Sequence, residues 1–363
     1  MSTYIYSSSP QIRSKRTTRA VMIDVCIALL PACIAGCVLL GVSGGASAGL
    51  GAFLQLAIAS VAAVLAEFVY LLCCKKPFQQ ILKEFDFSSL VTGMLVGMNM
   101  YYNSKWYVPL LASVFAIVVV KMLFGGTGKN IVNPAIAGRI FAFISFGAAF
   151  GGTMYFADQS GEAIKTLSPV SGGYVQGATP LQVLMGADAQ NTLSNLDLLL
   201  GTGVPGCIGE ICKVALIAGG IYLIVRGVLN FRWPLVYILT TGVVAVLLTW
   251  NDLCAAETAT KVDVGAKFVE ALGTFLPHVL SGGLILGAVF MATDFVTTPN
   301  TKLGNYIYFV LLGVITAVLR RAVKGEAVSF AILLMNLLVP LIDKLIVRKP
   351  FGYVKPQKVK EAE

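Results

Sequence analysis

From Ala20 to Val347 the chain is a succession of apolar stretches of about bilayer-crossing length, separated by short clusters of Lys and Arg. About 20 apolar residues in a helix span the hydrocarbon of a membrane, and inside it every backbone polar group must find its partner within the protein. The composition agrees: 57% of the residues are hydrophobic and 12% are charged, against about 25% charged in soluble domains. The expected fold class is an all-α polytopic membrane protein, with its spans packed into one membrane domain.

The basic clusters give this pattern a direction. Residues 1–19 are polar and end in Arg13, Lys15, Arg16 and Arg19, which holds this segment on the cytoplasmic side of the first span. A first membrane block covers residues 20–150, with spans near 20–42, 46–74, 87–100, 107–124 and 134–150. A polar segment, 151–205, follows and should lie outside the cytoplasm. A second block, 206–347, has spans near 207–228, 235–250, 272–292, 306–319 and 327–347. A basic tail, 348–363, returns to the cytoplasm. With about ten spans, most of the 27 Lys and Arg fall inside and both termini are cytoplasmic. Arg320, Arg321 and Lys324 depart from the rule as an outer basic cluster. The Ser- and Tyr-rich opening and the long first span argue against a cleaved signal peptide.

The two blocks repeat a motif. The third segment carries Gly93-x-x-x-Gly97 and the eighth Gly283-x-x-x-Gly287. Five spans per block invert the second block relative to the first. Short glycine-interrupted segments at matching positions are how transporter-like inverted repeats mark a midplane site. The same spacing also serves plain close packing of membrane helices.

The formal charge of +9 does not indicate nucleic acid. The basic residues sit beside apolar segments, as lipid-surface signals do, with no interleaved aromatic platform. None of the eight cysteines forms a C-x-x-C pair, so the sequence indicates no thiolate metal or iron–sulfur site and reads them as apolar packing residues. Ionisable residues inside apolar segments are costly and mark function or pairing. Here they are Asp24, Glu67, Lys121, Arg139, Glu210, Lys213, His278, Asp294 and Asp343. Asp294 closes the glycine-rich eighth segment, where it can meet a cation or a polar ring, or be a solvated helix end. Asp294, Asn336 and Asp343 are the candidates for an ion pathway. His278 is the one histidine, so it reads as a hydrogen-bonded structural residue rather than a relay. Gly125 to Asn130 has the composition of a phosphate-cradling loop without a P-loop context, which makes it a turn between helices.

A polar segment of some fifty residues is well beyond an ordinary connection, so it is more often functional than idle. Within it lies Gly177-Ala178-Thr179-Pro180. The small neighbours leave the Thr179 hydroxyl uncrowded, and the ring of Pro180 fixes the chain direction after it. That is a presentation site for modifying a hydroxyl; on its own, the tetrapeptide reads more readily as a turn.

Several stretches together resemble the family of Rnf D subunits and their relatives, the B subunits of sodium-pumping NADH:quinone reductases. They are Ser9 to Ser14, Leu123 to Asn130 running into Asn133-Pro134-Ala135 and Gly138-Arg139, Gly177 to Leu181, Gly209-Glu210, Met291-Ala292-Thr293-Asp294 with Thr298-Pro299, and Ala331 to Asn336 with Pro340 to Asp343. The resemblance covers nearly the whole chain. It implies a membrane subunit of a redox-driven, Na+- or H+-translocating ferredoxin:NAD oxidoreductase, built as urea-transporter-like inverted repeats. It implies FMN linked through its phosphate to Thr179 and cradled by Gly177, Ala178 and Pro180, installed from FAD by a flavin transferase outside the cytoplasm. Val175-Gln176 stand where the family often has Asp or Ser. The quinone-reducing relative also holds a noncovalent riboflavin, for which no motif is read here. The implied partners are a G-type extracytoplasmic flavoprotein, A- and E-type membrane subunits, and C- and B-type redox subunits. The alternatives are the quinone-reductase subunit itself and a channel without redox function.

Overall fold

The structure is a computed structural model that describes residues 16–150, 181, 184, 194–204, 206–255, 264–323 and 326–347. Among these residues the regular secondary structure is entirely helical. The first half opens with two long helices, α1 (Thr18–Gly44) and α2 (Ala46–Cys73), followed by the short α3 (Phe78–Glu84) and α4 (Ser88–Met98). Next come α5 (Tyr107–Val114), which widens into π-helical turns over Phe115–Met122, then α6 (Pro134–Ser145) and the single turn α7 (Gly147–Phe150). The second half begins with α8 (Asn195–Leu200) and a 3-10 turn, Ile208–Glu210. It continues with α9 (Lys213–Val225), α10 (Arg232–Ala255), α11 (Val264–Gly273) and α12 (Phe275–Leu280). Last are α13 (Leu284–Leu286, π-helical to Met291), α14 (Lys302–Val323) and α15 (Val328–Leu345).

Five helices, α1, α2, α10, α14 and α15, are long and apolar enough to cross a membrane by themselves. Four more apolar segments are shorter: α4, α5 with its π extension, α6 and α9. The tenth is a broken pair, Gly265–Leu280 and Leu284–Met291, bent by 62° at Ser281–Gly283. The eighth segment, expected as one span over 272–292, is therefore two pieces. The sixth, expected from 207, starts as a helix only at Lys213, because residues 207–210 form a buried turn instead.

Three of the four glycines, Gly93, Gly97 and Gly287, are helix-packing positions. A Cβ at Gly93 would lie 2.7 Å from Ser60 Cα, and one at Gly97 would lie 2.9 Å from Leu56 Cα, so α4 lies directly on α2. Gly287 meets Val328 of α15, 2.5 Å from where its Cβ would stand. Small residues give such close approach because, in lipid, dispersion contact rather than exclusion from water holds helices together. The turn at Gly125–Asn130 is a turn as expected, with Gly125, Gly126 and Gly128 at φ of 107°, 89° and 90°, a region closed to most side chains.

One core runs through both halves, from Leu29 of α1 through Met98 of α4 and Ile136 of α6 to Leu284 of α13 and Met335 of α15. At one end Asp24 of α1 accepts from Arg226 Nε and Tyr222 Oη, each at 3.2 Å, latching α1 to the end of α9. The polar segment leaves at Phe150, whose carbonyl accepts from Ser104 Oγ. It re-enters at Ser194, which caps α8 in a reciprocal box with Asp197. Hydrogen bonds from Ser194 and Thr202 hold the exposed Asp197 carboxyl below its usual range.

Candidate functional site: a buried polar column between the halves

Two helix ends meet first. Pro134 sits in the first turn of α6, and the Asn133 side chain caps it by accepting from Ala135 N at 3.0 Å. The same amide donates to Met291 O at 3.0 Å, so it also satisfies the end of α13 from the other half. Asn336 of α15 is fully buried beside them. In the amide orientation that satisfies its surroundings, its oxygen accepts from Asn133 N at 3.1 Å and its nitrogen donates to Tyr308 Oη at 2.8 Å.

Arg139 lies further along α6. Its Nη1 donates to Asn99 Oδ1 at the end of α4 (2.8 Å) and to Ser329 Oγ on α15 (3.0 Å). Its Nη2 reaches Glu210 Oε1 at 3.4 Å and Cys207 Sγ at 3.8 Å. One buried guanidinium thus ties both halves and the link between them. Asn99 completes the connection by donating to Leu95 O at 2.7 Å and lying 3.9 Å from Met291 Sδ. Glu210 is placed by its turn, which docks through Ile208 N on Met100 O at 3.1 Å, with Gly209 against Met98. The buried Lys213 Nζ donates to Glu210 O.

Beyond Glu210 stands the break before α13. Gly283 N donates to Glu326 Oε2 at 2.9 Å, and a Cβ on Gly283 would lie 3.2 Å from Glu210 Oε1, so the two carboxylates flank one glycine. Arg320 donates to His278 O (2.8 Å) and Ser281 O (3.1 Å), at the carbonyl end of α12. The charges suit the broken ends: a cation at the carbonyl end and an anion at the N–H end. Arg320 was expected in an outer basic cluster; at 1% exposure it is instead buried in the break. Its neighbour Arg321 keeps the surface role, paired with Asp252. Ser281 Oγ, His278 Nδ1 and Arg320 Nε are buried without partners.

At the other end of the column is a cavity of about 120 Å³, lined among others by Thr92, Lys121, Asn130, Asn133, Thr293 and Asp294. Lys121 Nζ donates to Glu67 Oε1 at 2.9 Å and to Ser88 Oγ at 2.7 Å, leaving Glu67 Oε2 unpartnered. A larger cavity of about 660 Å³ adjoins it, sharing Val228, Leu229, Thr293 and Phe295 as wall.

The sequence-derived candidates separate. Asp294 lines the smaller cavity and Asn336 lies in the column. Asp343, near the end of α15, accepts from Asn300 N (2.9 Å) and Asn300 Nδ2 (2.8 Å). Gly177, Ala178, Thr179 and Pro180 lie outside the described residues, whereas the next residue, Leu181, is buried at 1% exposure. Asn99, Ser329 and Glu326 carry no signal in the sequence. A neutral polar residue in an apolar helix is unremarked, and Glu326 sits in what reads as a loop. Among the described residues no group of three or more metal-ligating side chains occurs.

Among the described residues, ten apolar helical segments closed around a buried charge network define an all-α, multi-pass membrane protein whose two halves enclose a polar interior. Residues 5–352 match the NQR2, RnfD, RnfE family, and the chain belongs to it. It is 36% identical over 359 residues to the D subunit of the Na(+)-translocating ferredoxin:NAD(+) oxidoreductase complex of Acetobacterium woodii, covering 98% of both chains. It is 33% identical over 353 residues to the D subunit of the proton-translocating ferredoxin:NAD(+) oxidoreductase complex of Clostridium ljungdahlii, covering 96% of both. A third relative, the D subunit of the ion-translocating oxidoreductase complex of Alcanivorax borkumensis, is 31% identical over 362 residues, covering 96% of this chain and 97% of its own.

Proposed function

We propose that this chain is a membrane subunit of an ion-translocating ferredoxin:NAD oxidoreductase, relaying electrons through FMN esterified to Thr179. The observation that carries the reading is the end-to-end match to relatives of that name, with Gly177-Ala178-Thr179-Pro180 intact in the long polar segment. Thr179 offers the hydroxyl a phosphoester needs. Gly177 and Ala178 are small enough to leave it uncrowded, and the residue after Pro180, Leu181, is buried. The flavin supplies the redox chemistry; the chain's residues position it and set the charge around it. The match to subunits of a larger complex also supports partner subunits: a G-type flavoprotein, A- and E-type membrane subunits, C- and B-type redox subunits, and a flavin transferase during maturation. The basic clusters support a cytoplasmic-membrane location with both termini inside and Thr179 outside.

Asp294 and Asn336, at the cavity end of the column, and Asp343 are the proposed ion-pathway residues. The coupling ion is not chosen by similarity, since relatives named for Na(+) and for protons are nearly equally close. The two adjoining cavities would hold the noncovalent riboflavin. Thr92, Asn130 and Asn133 offer polar edges, and Leu223, Phe290 and Phe295 offer apolar walls. The smaller cavity alone holds only part of a ring system.

The test is the complex expressed with its flavin transferase and run on a denaturing gel. The wild-type band should fluoresce and Thr179→Ala should not, with a peptide around Thr179 heavier by one esterified FMN. Fluorescence persisting on the Ala variant would sink the assignment.

A further inference from the structure

The polar column runs from the smaller cavity through Asn133, Asn99 and Arg139 to Arg320, yet its polar groups are not equally available. Behind Lys121, which lines the cavity, Glu67 Oε2 has no partner. At the break, Ser281 Oγ and His278 Nδ1 have none. Between them, at Arg139, the available oxygens are taken: Asn99 Oδ1, Ser329 Oγ and Glu210 Oε1 all point at its guanidinium, which is 8% exposed. A metal cation leaving water needs such oxygens to replace its hydration shell. The charge balance adds to this. From Arg139 to the break, among the described residues, three buried cations, Arg139, Lys213 and Arg320, surround two carboxylates, Glu210 and Glu326. An arginine is always charged and cannot leave the path by losing a proton.

We propose that Arg139 is a fixed cationic barrier that closes the interior of this chain to metal cations, so that a cation entering at the cavity lined by Asp294 stops short of Glu210. The barrier is selective by charge and by consumed ligands, as rings and single arginines are in other pores. Passage past it requires the Asn99–Arg139–Ser329 contacts to open, which couples ion movement to a shift of one half against the other. The inference rests on the column and not on the flavin.

The test is passive Na+ flux into liposomes holding the purified complex, read with a sodium dye and no electron donor present. Arg139→Gln removes the charge and frees three oxygens, and its flux should exceed wild type by on the order of a hundredfold, as expected for a unit charge about 5 Å from the path at an effective dielectric of about 20. Ser329→Asp leaves the arginine in place but sets a carboxylate beside it, and should leak to a smaller extent. Arg139→Lys keeps the charge and should stay as tight as wild type. Flavin on the Thr179 band and a single size-exclusion peak show that each variant is assembled; the peak alone serves if the flavin reading fails, so this result stands without it. Wild-type tightness in both Arg139→Gln and Ser329→Asp overturns the barrier. Equal leakage from Arg139→Lys and Arg139→Gln overturns it too, because a steric plug rather than charge would then be the seal.

Discussion

At the residue scale the molecule is governed by buried charges that have been given partners. Arg139 and Glu210 have side chains 9% exposed and lie 3.4 Å apart. Taking both out of water is costly, and the pair recovers that cost only while both members are present. Truncating one should therefore hurt more than replacing both. Glu210→Ala is expected to destabilise the chain by about 3–5 kcal/mol, while the double variant Arg139→Met, Glu210→Leu recovers most of the loss. Thermal unfolding of the complex in detergent, run as a double-mutant cycle, measures this. Additive losses would mean the pair is not coupled. Sequence pointed to Arg139, Glu210 and Lys121, because a charge in an apolar run is conspicuous. It could not find their neutral partners, Asn99, Ser329 and Ser88, because hydroxyls and amides are common in membrane helices without any such role.

At the element scale, close approach of backbones decides which helices pair. The α2–α4 contact depends on Gly93 and Gly97, which face Ser60, Ala59 and Leu56 with no room for a side chain. Gly93→Val should force these helices apart and cost about 1–3 kcal/mol or more. The loss should appear as a lowered unfolding midpoint, with Gly49→Ala as a comparison at the α1–α2 contact, where a Cβ would lie 2.9 Å from Gly41 Cα. An unchanged midpoint for Gly93→Val would mean α4 is not seated on α2 as described. The two small-residue motifs were legible as motifs, but their use was not. Both readings, midplane site and close packing, share one spacing. The structure puts Gly283 at the break between two carboxylates and Gly287 in a helix contact, so adjacent turns of one motif serve different ends. The break itself had no proline to announce it. It is held from outside by Arg320 and Glu326, whose positions no local pattern reveals.

At the scale of the whole molecule, charge clusters predict which ends of the bundle share a side. With native cysteines replaced, a cysteine at Ser160 in the 151–205 segment should react with an impermeant thiol reagent from outside the cell. A cysteine at Lys129, in the turn before α6, should react only after the membrane is opened. Equal reactivity from outside would overturn the expected orientation. The apolar runs determined the class of fold by themselves, because hydrocarbon tolerates no unpaired backbone and helices are what such runs can form. The basic clusters likewise carried the expected direction of threading, and the resemblance to a known family carried the expectation of a flavin on Thr179. What sequence could not determine was the interior. Bringing Asn133 to Met291, Arg139 to Ser329 and Glu326 to Gly283 joins residues 158, 190 and 43 positions apart. Only the tertiary packing of the helices decides such contacts, because a buried charge is stabilised by whatever the fold brings within about 3 Å of it, not by its neighbours in the chain.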